Sequence, residues 1–258
     1  MAMSLVQGLL NQGVHRDNFQ ICDPDEQQRQ RFDDMAIKTF ADNSEAVAKS
    51  HIVVLAVKPQ IAAQVLTNMP TLTEKQLLIS IAAGIDLASL QNWTTDNQPI
   101  VRCMPNTPAL LGEGMTGLFA NDSCSSNHKE QAQLLLTAAG STLWVEDEAL
   151  LDAVTAVSGS GPAYFFLLME AMVEAGEQLG LSSDVAKQLT LQTALGAAKM
   201  ALQGEHSPAQ LRTNVTSPGG TTAAALDAFA EAGFNNTVIQ ALNAAHQRAG
   251  ELAEEFGK

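Results

Sequence analysis

The stretch His51-Ile52-Val53-Val54-Leu55-Ala56-Val57 is an almost uninterrupted apolar run, rich in β-branched residues, and Lys58-Pro59 stops it. Residues 77–83 and 100–104 form two further runs of the same kind. A strand that is apolar on both faces is typical of a parallel sheet covered by helices on both sides. We therefore predict parallel strands at the centre of an α/β domain.

Helix-like and strand-like patterns alternate through the first half of the chain. A short strand pattern at 19–22 comes first, and the helical patterns fall at residues 27–32, 43–49, 60–69 and 87–93. This alternation is typical of βαβ units. After residue 148 only helical patterns remain, at 162–179, 183–203, 208–215, 221–232 and 235–255. The sequence predicts an α/β domain over residues 1–148 and an all-helical domain over residues 149–258.

Composition limits the classes of function. The chain has 258 residues, of which 46% are hydrophobic and 16% charged, enough apolar material for a large core. Its formal net charge of −14 disfavours binding to nucleic acid, whose phosphates it would repel. Three widely spaced cysteines form no CxxC pair, and the histidines are scattered, so we expect reduced thiols and no metal site.

We expect neither a membrane span nor a signal peptide. No apolar run approaches about 18 residues, and no basic segment followed by an apolar core opens the chain. The prediction is a cytoplasmic protein. Residues 162–172 are apolar nearly all round. A small helical domain gains stability by burying such a helix in a partner, so we expect a homodimer or a larger oligomer.

Four predicted strands end in loops that are suited to ligand binding. The loops are Asp23-Pro24, Val57-Lys58-Pro59, Ala82-Ala83-Gly84, and residues 104–108, which include Asn106 and Thr107. In open parallel sheets, ligands bind beyond the C-terminal ends of the strands. The small residues at 82–84 would let a flat cofactor ring approach the backbone, and Asn106 and Thr107 would offer an amide and a hydroxyl for hydrogen bonds to a ligand. These loops indicate a dinucleotide-type site, although proline and glycine also simply end strands.

A second candidate site lies in the helical half, at Ser217-Pro218-Gly219-Gly220-Thr221-Thr222. Proline and two glycines break the chain, and the two threonines then open an alanine-rich helix. The first N–H groups of a helix have no internal partner and carry partial positive charge. Glycines in front let a small anion approach them closely. The motif indicates a carboxylate or phosphate seat; the alternative is a helix cap after a tight turn.

The usual dinucleotide fingerprint is missing. A strand and a G-x-G-x-x-G/A loop should precede the first helix, because the pyrophosphate lies against that helix N-terminus. This chain begins Met1-Ala2-Met3-Ser4-Leu5, which has the pattern of the helix that follows such a loop. We therefore expect the first strand of the sheet to be absent from this chain.

The motifs, taken together and in order, resemble the pyrroline-5-carboxylate reductase family. Besides the loop 217–222, the matching segments are Ala56-Val57-Lys58-Pro59, Ser80-Ile81-Ala82-Ala83-Gly84, Arg102-Cys103-Met104-Pro105-Asn106-Thr107-Pro108, Ala153-Val154-Thr155, Ser158-Gly159-Ser160-Gly161-Pro162-Ala163-Tyr164 and Gly196-Ala197-Ala198-Lys199-Met200. The resemblance implies a Rossmann-like domain followed by a helical dimerisation domain. It also implies hydride transfer from NADPH or NADH to the C=N carbon of 1-pyrroline-5-carboxylate, the last step of proline biosynthesis.

The resemblance implies roles for individual residues. The cofactor would contact Asn43, Ala56, Val57, Lys58, Pro59, Ala82, Ala83 and Gly84, with Asp23 and Pro24 near the adenosine ribose and Asn214 also on the cofactor side. The substrate carboxylate would lie on the backbone of Gly219, Gly220, Thr221 and Thr222, with Glu205 and Thr222 facing the ring. Thr222 would be the catalytic residue, supplying or relaying the proton to nitrogen, although solvent could do so too.

Two departures from the family leave questions open. Met1 aligns inside or just after the glycine loop, so we expect this chain alone to bind dinucleotide poorly; a start codon assigned too late would explain it, and a fragment is the second explanation. Asp23 after the second strand of the family fold usually disfavours a 2′-phosphate, so the choice between NADPH and NADH stays open.

Three functions are compatible with these observations. The first is the reductase, and the second is a truncated, non-catalytic helical dimer module with impaired cofactor binding. A related imine or β-hydroxyacid reductase is a third, which the loop 217–222 disfavours. The acidic cluster Glu146-Asp147-Glu148 is expected to be a solvated face between the domains.

Overall fold

The computed structural model describes residues 1–257. The chain divides into two compact units: one comprises residues 1–160 together with the C-terminal residues from 244 onward, and the other comprises residues 161–243. The first unit contains every strand, and the second contains only helices. The predicted order, an α/β part followed by a helical part, is confirmed. The domain boundary predicted at residue 148 stays a prediction.

The strands of the first unit form two sheets. The strands are β1 (Gln20–Cys22), β2 (Lys38–Phe40), β3 (Ile52–Leu55), β4 (Leu77–Ser80), β5 (Ile100–Met104), β6 (Gly114–Ala120) and β7 (Gly140–Trp144). β1 pairs with β2, and the larger sheet has the order β3-β4-β5-β6-β7. All pairs are parallel except β5 with β6.

The antiparallel pair follows from the length of its connection. Only residues 105–113 join β5 to β6, which is too short for the crossover that parallel neighbours need. The predicted strands at 19–22, 51–57, 77–83 and 100–104 are confirmed. The sequence prediction missed β2, β6 and β7.

Helices separate most of the strands. They are α1 (Ala2–Asn11), α2 (Glu26–Asp33), α3 (Ser44–Lys49), α4 (Pro59–Asn68), α5 (Leu87–Asn92), α6 (Ser126–Thr137) and α7 (Leu150–Val154). Local signals explain several of their starts. The side chains of Asp25 and Asp86 accept hydrogen bonds from first-turn N–H groups of α2 and α5, and Pro59 occupies the first position of α4.

The larger sheet is buried on both faces. In β4, Leu78 belongs to one apolar cluster, whereas its neighbours Leu77 and Ile79 belong to another, and all three side chains are 0% exposed. Successive side chains of a strand point to opposite faces, so the two clusters lie on opposite sides of the sheet. The near-continuous apolar pattern of this strand is therefore explained by burial of both its faces, as the sequence predicted.

Helix α1 joins the two sheets by packing. Leu5 packs into one cluster of the larger sheet, and the next residue, Val6, packs with Phe32 and Ile37 beside β1 and β2. Among residues 1–257, no strand pairs with β1 or β3 on the edge that each leaves free. The connection between the sheets in the described part of the chain is thus made by side chains.

The second unit is built from the helices α8 (Gly161–Gln178), α9 (Ser183–Gln203), α10 (Pro208–Asn214), α11 (Thr221–Glu231) and the start of α12 (Phe234–Phe256). Helices α8 and α9 pack against each other. Large apolar side chains of α8 are solvent-exposed in the single chain, among them Phe165, Phe166 and Leu167.

One helical stretch, Leu150–Gln178, is long and apolar enough to cross a membrane by length and composition, with a mean hydropathy of 1.2 over its most apolar 18 residues. The sequence prediction that no segment approaches this length is wrong on that criterion. Core and interface helices of globular proteins pass the same test, so one such stretch is weak evidence for a membrane span.

The start of β7 provides a test of the fold. Gly140 has φ +140° and faces Gly114 of β6, whose backbone a Cβ at position 140 would overlap. We expect Gly140→Ala to lower the free energy of unfolding by about 3 kcal/mol in urea titrations, because the strands must separate. Gly13→Ala is the control: its φ is +88° but nothing lies within 4 Å of the new Cβ, so the loss should be about 1 kcal/mol. Equal losses in both variants would contradict close contact at Gly114.

Candidate functional site

Strands β3, β4 and β5 are parallel neighbours, so the loops that follow them leave the sheet at one edge. These loops begin at Ala56, Ile81 and Pro105. Ligands of open α/β sheets bind at this edge. The structure therefore brings together two of the predicted cofactor segments, residues 56–59 and 82–84.

The turn after β4 presents little side-chain bulk. Ala82 is buried, Ala83 and Gly84 are partly exposed, and Gly84 has φ +73°, a conformation that disfavours any other residue. Asp86 ends the turn by capping α5, since its Oδ1 accepts the Ser89 N–H at 2.8 Å. A flat ring could lie against the backbone here, so the geometry of the turn fits a nicotinamide.

The loop after β3 leads directly into α4. Lys58 is the N-cap residue in extended conformation, and Pro59 follows as the first helical residue. Ala56 and Lys58 are exposed, while Val57 packs against the apolar core. The predicted contacts at Ala56 and Lys58 are thus accessible, and that of Val57 is confined to its backbone and part of its side chain.

Asn43 precedes α3 as its N-cap residue. Its carbonyl accepts the Val47 N–H at 2.9 Å, but its side chain makes no capping hydrogen bond. An N-cap asparagine normally uses its side chain on the helix. The amide of Asn43 is therefore available to a ligand at this position.

Asp23 and Pro24 follow β1 in a tight turn. The Asp23 Oδ1 accepts the N–H of Asp25 at 2.9 Å, so part of this carboxylate is used within the turn. Arg29 of α2 reaches back, and its Nη1 donates to the carbonyls of Asp23 and Pro24 at 2.8 and 3.0 Å. Arg29 was not among the predicted site residues, yet its guanidinium lies beside the two residues that are predicted to contact the adenosine ribose. Its spacing of six residues from Asp23, one helical turn into α2, is the signal that could have identified it.

The Asn106 side chain, expected to offer hydrogen bonds to a ligand, is used inside the protein. Its Nδ2 donates to the Ser158 carbonyl at 3.0 Å, and its Oδ1 accepts the Met115 N–H at 2.9 Å. Ser158 lies in a π-helical turn, Thr155–Gly159, that continues α7. Asn106 thus fixes the loop after β5 to that turn, and the expectation of a free amide is wrong.

In the second unit, the predicted anion seat is a helix start with free amides. α11 begins at Thr221, after Gly219 at φ +67° and the N-cap residue Gly220. Gly220 donates to the Ser217 carbonyl at 3.0 Å, whereas the N–H groups of Thr221 and Thr222 make no hydrogen bond among the described residues. Without side chains at 219 and 220, these N–H groups are open to an anion.

The remaining predicted site residues of the second unit are Asn214, which was predicted on the cofactor side, and Glu205 and Thr222, which were predicted to face the substrate ring. Asn214 ends α10, and its Oδ1 accepts the Gln210 Nε2–H at 2.8 Å. Glu205 lies in the connection between α9 and α10 and is exposed, and Thr222 is partly buried. The cofactor residues before position 85 belong to the first unit and these residues to the second. Their meeting in a single site stays a prediction.

Thiol chemistry is disfavoured at all three cysteines, which are free. Burial, and secondarily the charge of Asp42, raises the pKa of Cys22 to about 11. Burial raises the pKa of Cys124 to about 11 as well, and that of the fully buried Cys103 further. None of the three is a thiolate at neutral pH. No cluster of three potential metal ligands occurs within residues 1–257.

Two family models match different parts of the chain. Residues 148–252 match the model described as pyrroline-5-carboxylate reductase dimerisation. Residues 1–84 match the model described as NADP oxidoreductase, coenzyme F420-dependent. The first model contains the helical segment with the anion seat, and the second contains the cofactor loops after β1, β3 and β4.

Curated relatives cover the whole chain. The pyrroline-5-carboxylate reductase of Pseudomonas aeruginosa is 55% identical over 260 residues, which span 100% of this chain and 95% of that protein. The enzyme of the same name from Haemophilus influenzae is 45% identical, over 99% of this chain and 95% of that protein.

Solved structures agree with these relatives. A pyrroline-5-carboxylate reductase from Coxiella burnetii superposes with a TM-score of 0.89 at 39% identity, covering 98% of this chain and 94% of that one. A Plasmodium falciparum pyrroline carboxylate reductase with NADP bound gives 0.87 at 32% identity, over 97% and 94% of the two chains. The chain belongs to the pyrroline-5-carboxylate reductase family.

Proposed function

We propose that this protein reduces 1-pyrroline-5-carboxylate to L-proline with NADPH or NADH, the last step of proline biosynthesis. Membership of the family supports the reaction, and the free amides at the start of α11 are the observation that carries the substrate assignment. The substrate is a small ring with one carboxylate, which suits a glycine-lined helix start. No comparison favours a non-catalytic dimer module.

The two predicted domains would have different roles. Residues 1–148 would form the dinucleotide-binding domain, and residues 149–258 the dimerisation and substrate-binding domain. A bound nicotinamide supplies the hydride. The turn 82–84 would lie beside its ring, residues 56–59 and Asn43 would contact the rest of the dinucleotide, and Asn214 would approach it from the substrate side.

The chain's task in catalysis is mainly to bind and orient. An imine that is protonated in water is already electrophilic, so no strong acid–base pair is needed. The backbone of Gly219, Gly220, Thr221 and Thr222 would hold the carboxylate, chiefly through the N–H groups of the two threonines, which are unpaired within residues 1–257. The side chains of Glu205 and Thr222 would face the ring. Holding the reacting carbon within about 3–3.5 Å of the hydride donor accounts for most of the expected acceleration.

We propose a homodimer or larger oligomer as the active form. The match to a dimerisation model and the exposed phenylalanines of α8 support association of copies through the helical unit. A cytoplasmic location without nucleic-acid or membrane partners is part of the same proposal, because this reaction needs only small molecules.

The direct test is an assay with purified protein. Loss of reduced-nicotinamide absorbance should depend on added 1-pyrroline-5-carboxylate, and the product should be L-proline by chromatography. No turnover with either NADPH or NADH, in protein that is folded by circular dichroism, would contradict the proposal.

Thr222 provides the first prediction for catalysis. Thr222→Ala removes the hydroxyl that would supply or relay the proton to nitrogen, so kcat at saturating cofactor should fall at least about tenfold. Thr222→Ser keeps the hydroxyl and should retain most of the rate. A wild-type kcat in the alanine variant would exclude Thr222 from proton transfer.

The anion seat gives a second prediction. Gly219→Ala introduces a side chain at φ +67°, where the new Cβ meets no atom within 4 Å, so the main effect is a displaced loop backbone. We expect KM for 1-pyrroline-5-carboxylate to rise about tenfold with little change in KM for the cofactor, because the amides move from the carboxylate. Gly180→Ala, at φ +97° in equally open space after α8, is the matched control and should leave both constants unchanged.

Arg29 provides the prediction for cofactor preference. A guanidinium beside the adenosine ribose favours a 2′-phosphate. Arg29→Ala should therefore lower the ratio of kcat/KM for NADPH to that for NADH about tenfold or more. Arg31→Ala is the control, since Arg31 lies on the same helix but bonds only Gln28, at 3.2 Å. An unchanged ratio in the Arg29 variant would show that this guanidinium only closes the turn.

A further inference from the structure

Two carboxylates, Glu148 and Asp152, lie near the buried guanidinium of Arg102. Arg102 of β5 is 7% exposed, and its Nη1 donates to Oε1 of Glu148 at 2.8 Å. Its Nη2 lies 3.9 Å from Oδ1 of Asp152, in α7. Of the acidic cluster 146–148, expected to be solvated throughout, Glu146 and Asp147 are exposed but Glu148 is partly buried. That expectation is therefore wrong for Glu148.

Glu148 contacts the backbone as well as Arg102. The same Oε1 accepts the N–H of Leu87 at 2.7 Å, across 61 positions of sequence. Leu87 is the first residue of α5, and its N–H is one of the groups that a helix leaves without an internal partner. One carboxylate oxygen therefore joins β5, the segment before α7 and the start of α5.

The start of α5 is also the end of the turn after β4. Only Ile85 and Asp86 separate Gly84 from Leu87, so fixing the Leu87 N–H limits where residues 82–84 can lie. The C-terminal helix α12 also contacts this region. A Cβ at Gly84 would lie 3.1 Å from Cβ of Leu252, and the Ser89 hydroxyl donates to the Gly257 carbonyl at 2.9 Å. The turn is thus held at its glycine and at its end.

We propose that Glu148 is a positioning residue for the cofactor: through the Leu87 N–H it sets the place of the turn 82–84 against which the nicotinamide ring lies. The proposal rests on the proposed function, since it takes residues 82–84 as the cofactor contact. Glu148 touches neither cofactor nor substrate in this role. Arg102 keeps the carboxylate in place by a charge-assisted hydrogen bond, which is stronger than a neutral one.

The contacts indicate that the protein tolerates loss of this side chain. Without Glu148, Arg102 still has Asp152 as a counter-charge, so the guanidinium is not left alone in the interior. α5 keeps its own cap, because Asp86 still accepts the Ser89 N–H. The interaction that is lost is the hydrogen bond from the Leu87 N–H to the Glu148 carboxylate. The expected defect is therefore local to the turn and its helix start.

The experiment compares Glu148→Ala with Glu148→Gln and with Glu146→Ala. Glu146 has the same side chain two positions away, is exposed and makes no hydrogen bond within residues 1–257, so it is the matched control. Three readouts are needed: KM and kcat for each substrate, the Kd of NADPH from direct titration, and hydrogen exchange of the peptide that spans residues 81–90.

For Glu148→Ala we expect KM and Kd for NADPH to rise about tenfold, within the range for loss of a hydrogen bond to a charged group. The kcat should also fall, because a displaced nicotinamide ring aligns its hydride less well with the imine carbon. The KM for 1-pyrroline-5-carboxylate should stay within about twofold, and exchange should become faster in residues 81–90 alone. Glu148→Gln keeps an acceptor oxygen and should recover most of the affinity. Glu146→Ala should match the wild type in every readout.

Two outcomes would overturn the proposal. One is unchanged NADPH affinity in Glu148→Ala. The other is faster exchange throughout the first unit with equal losses for cofactor and substrate, which would indicate a merely structural ion pair. If the wild type does not reduce 1-pyrroline-5-carboxylate at all, the proposed function fails, but NADPH titration and hydrogen exchange still decide the positioning role.

Discussion

Burial of β4 on both faces is the constraint on which the first unit depends. Leu77, Leu78 and Ile79 are 0% exposed, and they alternate between two apolar clusters. Helices must cover both faces of such a strand, and parallel neighbours must pair with both of its edges, as β3 and β5 do. Parallel pairing then places the loops after these strands together, at the C-terminal ends of the strands. The position of the candidate cofactor contacts is therefore a consequence of how the core is buried.

Side-chain and backbone groups then give that edge a defined shape. The turn 82–84 is small because its residues are alanine and glycine; Leu252 lies against Gly84, and Glu148 holds the Leu87 N–H that follows the turn. Asn106 fixes the loop after β5 in a similar way, through Ser158 and Met115. Backbone groups held in defined positions suit a reaction in which the cofactor carries the chemistry.

The helical unit differs from the first unit in leaving large apolar side chains exposed. α8 and α9 pack together but leave large apolar side chains exposed, so this unit is incomplete as a single copy. At the start of α11, the backbone N–H groups that are unpaired in the described part of the chain are proposed to bind the substrate carboxylate without a buried cationic side chain. Assembly and substrate binding are therefore proposed for the same unit, and both use surfaces that a monomer leaves open.

Local patterns in the sequence determined the strands at the sheet centre, every helix except α6 and α7, the α/β-then-helical order and the glycine loop before α11. These features depend on periodicity, caps and glycine conformation. Strands β2, β6 and β7 were not predicted, because polar residues or glycines interrupt them and they lack the continuous apolar run of β3 and β4. The roles of Asn106 and Glu148 were decided by tertiary structure, because each depends on a hydrogen bond to a backbone group that is distant in sequence. Arg29 bonds to carbonyls only five and six residues away, so its role depends on local structure. Sequence alone identified which residue types could bind a dinucleotide and a carboxylate, whereas only the fold decided which polar side chains remain free, because a buried polar group must satisfy its hydrogen bonds before it can bind a ligand.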